Sequence, residues 1–246
     1  EQEIAKALQW NGRKDYLFAL GHEYQMYQTL QLKITECDAE IQKLLDEQIA
    51  QDENKKQHVI DKKVYKKINK NTPKNMDINL LSYQYFEGVD LLAIEGVSYS
   101  TVLTLMSEVG NGIHKFESAK QFSSWLRLSP NNKISGGKVL SNKIPKGSNR
   151  LKIALRNAAN AIGNLKDTAL SNFFKRIAFR KGRVSAISAT ARKLAVIIWN
   201  MLVKRIPYRA ETTYEFLDQK RKRKVQEMRK LIAKFEIRTD ELNLQL

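Results

Sequence analysis

From Leu17 to Leu44 the apolar and aromatic positions run Leu17, Leu20, Tyr24, Tyr27, Leu30, Ile34, Cys37, Ile41 and Leu44. Side chains three and four apart share one face of a helix, so the spacing predicts a long amphipathic helix with a narrow stripe. Such a stripe pairs as a coiled coil with another helix or another subunit, or packs on its own domain; both readings are open here. Residues 52–77 then turn polar and lysine-rich and end in Asn-Thr-Pro-Lys-Asn, which places a boundary there. The run from Lys62 to Lys70 reads as solvated surface.

Residues 91–110, LLAIEGVSYSTVLTLMSEVG, hold two apolar helical patterns joined at Gly96-Val97-Ser98. This is the pattern of a helix-hairpin-helix, whose glycine turn exposes backbone N–H groups at a helix start where a phosphate can dock. An ordinary helical hairpin with a glycine turn reads the same way. A short helix at 118–126 leads to Ser129-Pro130 and a glycine-containing loop. Leu151, Leu155, Ala158, Ile162 and Leu165 then form one helical face, and Ile187, Ala191, Leu194, Ile198 and Met201 another. Ala154, Ala158, Ala159 and Ala161 allow close helix approach. Pro207-Tyr208 closes the last buried helix, and Tyr214 to Phe235 reads as a further helix carrying the run Lys220 to Lys224. Strand signals are few and repeats absent, so the expected class is mainly α, with a coiled-coil-like N-terminal helix. The expected divisions are 1–76, 77–210 and a basic C-terminal helix over 211–246.

Charge sharpens this outline. The net charge is +17, yet the 93 residues from Ser118 to Ala210 contain 20 Lys or Arg and a single acid, Asp167, while the rest of the chain holds 23 basic against 25 acidic residues. A surplus so segregated points to a polyphosphate partner, best a nucleic acid, because neutralised phosphates release condensed counterions. A membrane partner is not expected: no segment joins a basic face to a broad apolar one, and the run around Leu194 to Leu202 is too short to span a bilayer. The N-terminus does not read as a signal peptide, and the expected compartment is a cytosol. One cysteine, Cys37, and three dispersed histidines, His22, His58 and His114, offer neither a disulfide nor a metal-ligand spacing.

The loop itself, NNKISGGKVLSNKIPKGSNRLK over 131–152, has no acid, three glycines and six Lys or Arg. On residue chemistry alone Ser135 has two readings. It is a turn residue beside Gly136 and Gly137, or a nucleophile toward a phosphodiester, with Lys133, Lys138, Lys143, Lys146 and Arg150 stabilising the phosphate. A serine needs a base to take its proton, and no histidine or carboxylate lies between Ser118 and Lys166. Ser141 and Ser148 read as turn residues.

These features occur together in a recognisable order: the Gly96-Val97-Ser98 turn, KFESAKQFSSWLRLSP, the Ser-Gly of NKISGGKVLSNK, Asn149-Arg150 entering an alanine-rich helix, and ATARKLAVIIWNMLVKRIPY. The chain thereby resembles the C-terminal portion of transposases of insertion-sequence family one-ten, the DEDD-type, RNA-guided serine recombinases. It departs from the common pattern at Leu126-Arg127-Leu128-Ser129-Pro130 and Lys146-Gly147-Ser148-Asn149. The resemblance implies that Ser135 is the catalytic serine that joins covalently to DNA. The residues expected to contact DNA are Gly96, Val97, Ser98, Lys133, Gly136, Gly137, Lys138, Lys143, Lys146, Asn149 and Arg150. DNA and a guide RNA are the implied partners, with self-association through the N-terminal helix. Family members begin with a RuvC-like nuclease domain whose four acids hold Mg²⁺. Nothing before Leu17 is long enough for one, so the chain is expected to be a truncated member or a fragment that binds nucleic acid but does not rearrange it alone. The alternative is a non-catalytic helix-hairpin-helix nucleic-acid-binding protein, a decayed remnant in which Ser135 only makes a turn.

Overall fold

The structure, a computed structural model, describes residues 2–7, 13–52, 55, 57–58, 72–73, 76–141, 143–147, 149–210 and 213–236. The lysine run at 62–70 and Ser148 lie outside the described residues, as do the side chains of Lys220 and Arg223 within the C-terminal run. The architecture is mainly α, as expected, in two units, Glu1–Gly88 and Val89–Leu246.

The first unit holds α1 (Gln2–Ala7), α2 (Lys14–Ala50) and α3 (Ile78–Tyr85). The 37 residues of α2 contain no proline, so nothing breaks the helix, which at 1.5 Å per residue extends roughly 55 Å. Its apolar positions from Leu17 to Leu44 are exposed, and burial begins only at Leu45 and Ile49, where its last turns meet α3. Packing on its own domain therefore holds for the last turns alone. Asp77 caps α3 by accepting from the Leu80 N–H.

The second unit opens with a 3₁₀ turn, Leu91–Ala93, followed by α4 (Tyr99–Glu108), a second 3₁₀ segment at Gly110–Lys115, and α5 (Ala119–Trp125). A two-stranded sheet, β1 (Lys133–Ser135) and β2 (Lys138–Ser141), precedes α6 (Arg150–Ile162), α7 (Ala169–Lys181), α8 (Arg183–Lys204) and α9 (Thr213–Phe235). Four of these helices start where the side-chain oxygens of Ser98, Ser118, Asn149 and Thr168 accept from a backbone N–H three residues on. Gly182 alone separates α7 from α8, at a φ of 80° that a β-carbon resists.

α8 is the central helix, packing against α5, α6 and α7. Ala186, Ala191, Leu194, Ala195, Ile198 and Met201 are buried along it, their small members letting neighbours approach. It is long and apolar enough to cross a membrane, but half of its most apolar window is buried inside the unit, as befits a core helix. The Trp199 indole N–H donates to the Phe116 carbonyl at 3.1 Å, fixing α8 to the segment before α5.

Two expectations need correction. The first of the paired helices at 91–110 is only a three-residue 3₁₀ turn, because Ile94 swings into extended backbone at φ −71° and ψ 131° and buries completely ahead of the Gly96 turn. Leu165 lies past the end of α6 and is 37% exposed, so the face that begins at Leu151 ends at Ile162.

Candidate nucleic-acid interface

The stretch expected to be a loop is a β-hairpin. Gly136 and Gly137 have φ of 54° and 75°, and two successive positive φ values at a two-residue connection make the tight turn whose twist matches paired strands. Ser135 pairs with Lys138 across that turn, Ile134 with Val139, and Lys133 with Ser141, so the register leaves Leu140 as an extra residue. Ser135 is exposed beside the turn, with open space around both glycines. Lys133 and Lys138 are exposed too, and no carboxylate lies in either strand. Ile134 and Leu140 are 62% and 69% exposed, so the hairpin also carries apolar surface outward.

Its base is held by named contacts. The Asn131 N–H donates to the Lys143 carbonyl at 3.0 Å, closing the stem. The Arg127 guanidinium donates to the Lys146 carbonyl at 2.6 Å and the Lys152 ammonium to the Gly147 carbonyl at 2.8 Å. Asn149 begins α6 by accepting from the Lys152 N–H at 2.7 Å, and Arg150 is exposed at the first position of that helix. Lys152 is itself buried. Desolvation, then the nearby Arg156 and Arg127 charges, hold its ammonium below the usual lysine range.

Below the hairpin stem lies a groove of about 980 Å³, walled by α7 and α8 and by residues flanking the hairpin, Pro130, Asn132, Lys143 and Ile144. Among the described residues, six cations line it, Lys143, Arg156, Arg180, Lys181, Arg192 and Lys193, and no carboxylate does. The Arg156 guanidinium is oriented by donating to the Ser188 hydroxyl at 2.8 Å.

Of the residues expected to bind or react, the structure brings Ser135, Lys133, Gly136, Gly137 and Lys138 into one hairpin and places Lys143 at the groove. Lys146 and Asn149 sit at its clamped base. Gly96, Val97 and Ser98 form a separate turn, in which the Val97 N–H donates to the Ile94 carbonyl and Ser98 caps α4. Sequence reasoning passed over α7 entirely, and with it Arg180 and Lys181. The signal was present in Phe173, Ile177, Arg180 and Lys181, whose spacing of four, three and one defines a mixed apolar and cationic face.

Among the described residues no group of three or more His, Cys, Asp or Glu could hold a metal ion, so the residues at the hairpin and groove do not fit the Mg²⁺ that the resemblance implies elsewhere.

Hairpin and groove together form the cationic surface of a helical unit that displays a serine. Residues 90–175, which span the Gly96 turn, the hairpin, α6 and half of α7, match the family described as Transposase IS116/IS110/IS902 family. A relative, the transposase for insertion sequence element IS1111A of Coxiella burnetii, is 34% identical over 121 residues, 48% of this chain. The match spans about a third of that relative's length.

Proposed function

We propose that the chain is the DNA-binding, serine-bearing part of a transposase that moves an insertion sequence by DNA strand exchange. The observation that carries this is the placement of Ser135 beside a tight turn, with Lys133 and Lys138 alongside and no carboxylate to repel a phosphodiester. In the step envisaged, the Ser135 Oγ bonds to phosphorus while the bond from phosphorus to the departing nucleoside oxygen breaks. The lysines offset charge building on the phosphate oxygens. The serine proton goes to a carboxylate of the nuclease domain that the resemblance implies, because the hairpin and groove carry no base for it.

The charge surplus also supports the guide RNA that the resemblance implies beside the DNA, in a cytoplasmic, nucleoid-associated setting. The exposed stripe of α2, Leu17 to Leu44, supports self-association through a coiled coil. A suicide substrate incubated with the chain and a supplied nuclease domain tests the serine. A covalent adduct is expected with the unaltered chain and none with Ser135→Ala, whose exposed position leaves the melting temperature unchanged. An adduct that persists in Ser135→Ala, or maps to Ser141, sinks the assignment. Nucleic-acid binding with no adduct at all returns the reading to a non-catalytic binding protein.

A further inference from the structure

We infer that the groove between α7 and α8 seats single-stranded nucleic acid, with phosphates on the rim cations and a base unstacked against an apolar wall. This rests on the reading of the chain as a polynucleotide-binding transposase part and adds which form of polynucleotide the groove takes. Two chemistries meet in one cavity. The cations come from three helices and from the segment after β2, and with no carboxylate among the described lining residues they suit a polyanion. Between them lie Phe173, Ile177, Val184 and Val196. A duplex offers a wall only phosphates and sugars, with its bases stacked inside, and against it those apolar side chains have no partner. The bases of a single strand have free faces, and apolar and aromatic side chains beside a cationic track are how such strands are held.

Shape and local geometry favour the same occupant. A volume of about 980 Å³ sits at the upper end of the roughly 300–1,000 Å³ typical of small-ligand pockets, which accommodates a few nucleotides of one strand. A duplex keeps its base faces stacked inside, so the apolar wall of such a groove meets no base face of a duplex. The Lys193 ammonium lies 4.7 Å over the Phe173 ring, setting a cation beside an aromatic side chain, the juxtaposition that a base and its own phosphate require. Val184 is 72% exposed on the groove wall, an apolar position open to solvent.

The test is fluorescence anisotropy of the full 246-residue chain. The probes are a labelled thymidine strand of about 12 nucleotides, a blunt duplex of similar length, and an abasic strand. Arg180→Ala and Val184→Glu are both exposed changes, and helix content and melting of each variant are followed by circular dichroism. Lys120→Ala, an exposed cation away from the groove, controls for net charge. Each groove variant is expected to weaken the thymidine strand roughly tenfold and the duplex less than about twofold. The unaltered chain is expected to bind the abasic strand several-fold more weakly than thymidine. Equal weakening of strand and duplex, equal affinity for abasic and thymidine strands, or groove variants that bind like Lys120→Ala would each overturn the inference while leaving nucleic-acid binding intact. A chain that binds none of the three probes overturns the underlying reading as well.

Discussion

The Arg127 guanidinium reaches nineteen residues along the chain to donate to the Lys146 carbonyl, and a Cβ on Gly147 would overlap that same guanidinium. Arg127 itself sits at φ 53° and Gly147 at φ 90°, so two left-handed residues are held face to face where the hairpin rejoins the helical core. Both ends of this contact are surface-exposed, so the bond contributes about 1 kcal/mol, a roughly fivefold shift in local opening. Arg127→Ala is therefore expected to speed native-state tryptic cleavage after Lys143 and Lys146 about fivefold, with little change in global melting. Gly147→Ala should do the same by strain and overlap. Unchanged cleavage in both would show that the hairpin is anchored elsewhere.

Gly96 has a different reason for being glycine than the phosphate docking its sequence context invites. Its φ is 75°, and a Cβ there would overlap Cγ1 of Ile162, a fully buried side chain, and lie 2.8 Å from the Ala158 carbonyl oxygen. The backbone oxygen belongs to α6 and cannot rotate away. Gly96→Ala is expected to cost about 3 kcal/mol from left-handed strain and overpacking together, read as a lowered urea midpoint. A variant within about 0.5 kcal/mol of the parent would show that α6 yields at this contact.

The helical outline was legible because its signals are local. The stripes at Leu151 to Ile162 and Ile187 to Met201 and the helix starts near Ser118 and at Asn149-Arg150 are local signals, and each became an element or its start. The hairpin was not legible as strands. Its apolar residues, Ile134 and Leu140, face outward, so period-two alternation had no core to report, and Ser-Gly-Gly-Lys reads equally well as loose loop. Lys152 illustrates the other limit. On α6 it appears as one more solvated cation, and only the tertiary arrangement shows it buried, with its ammonium bonded to the Gly147 carbonyl. The groove likewise gathers Lys143, Arg156, Arg180 and Arg192 from separate elements, so no single stretch of sequence contains it.

Tyr208 donates its hydroxyl to the Glu95 carboxylate, tying the segment after α8 to the turn before α4. Burial first, and then the hydrogen bond and negative charge of Glu95, push the phenol well above its ordinary value. A raised folded-state pKa means stability that is fully present below the unfolded tyrosine value of about 10 and lost progressively as pH rises above it toward the raised folded value, since the unfolded chain ionises first. The parent should lose stability above pH 10 more steeply than Tyr208→Phe, with the difference in slope approaching 1 kcal/mol per pH unit. At neutral pH Tyr208→Phe should cost about 1–2 kcal/mol, because the Glu95 carboxylate loses its donor. Parallel alkaline melting profiles would show that the contact is not maintained in solution.

The absence of any carboxylate among the described residues of the groove lining makes a quantitative demand on binding. Cations paired with acids exchange one ion for another when a phosphate arrives, and release few counterions from the nucleic acid. The described lining holds no acid, so each phosphate that its cations neutralise should release its share. For a single strand that share is about 0.7 per contact, which gives a slope near −4 for the logarithm of affinity against the logarithm of salt concentration. Arg180→Ala should reduce its magnitude by about 0.7, whereas Lys222→Ala should leave it unchanged, because Lys222 is already paired with Asp218 at 2.7 Å on α9. Titrations at several salt concentrations measure both. A slope near zero would remove the polyphosphate partner, and equal effects of the two substitutions would show that net charge, and not the groove, sets the affinity.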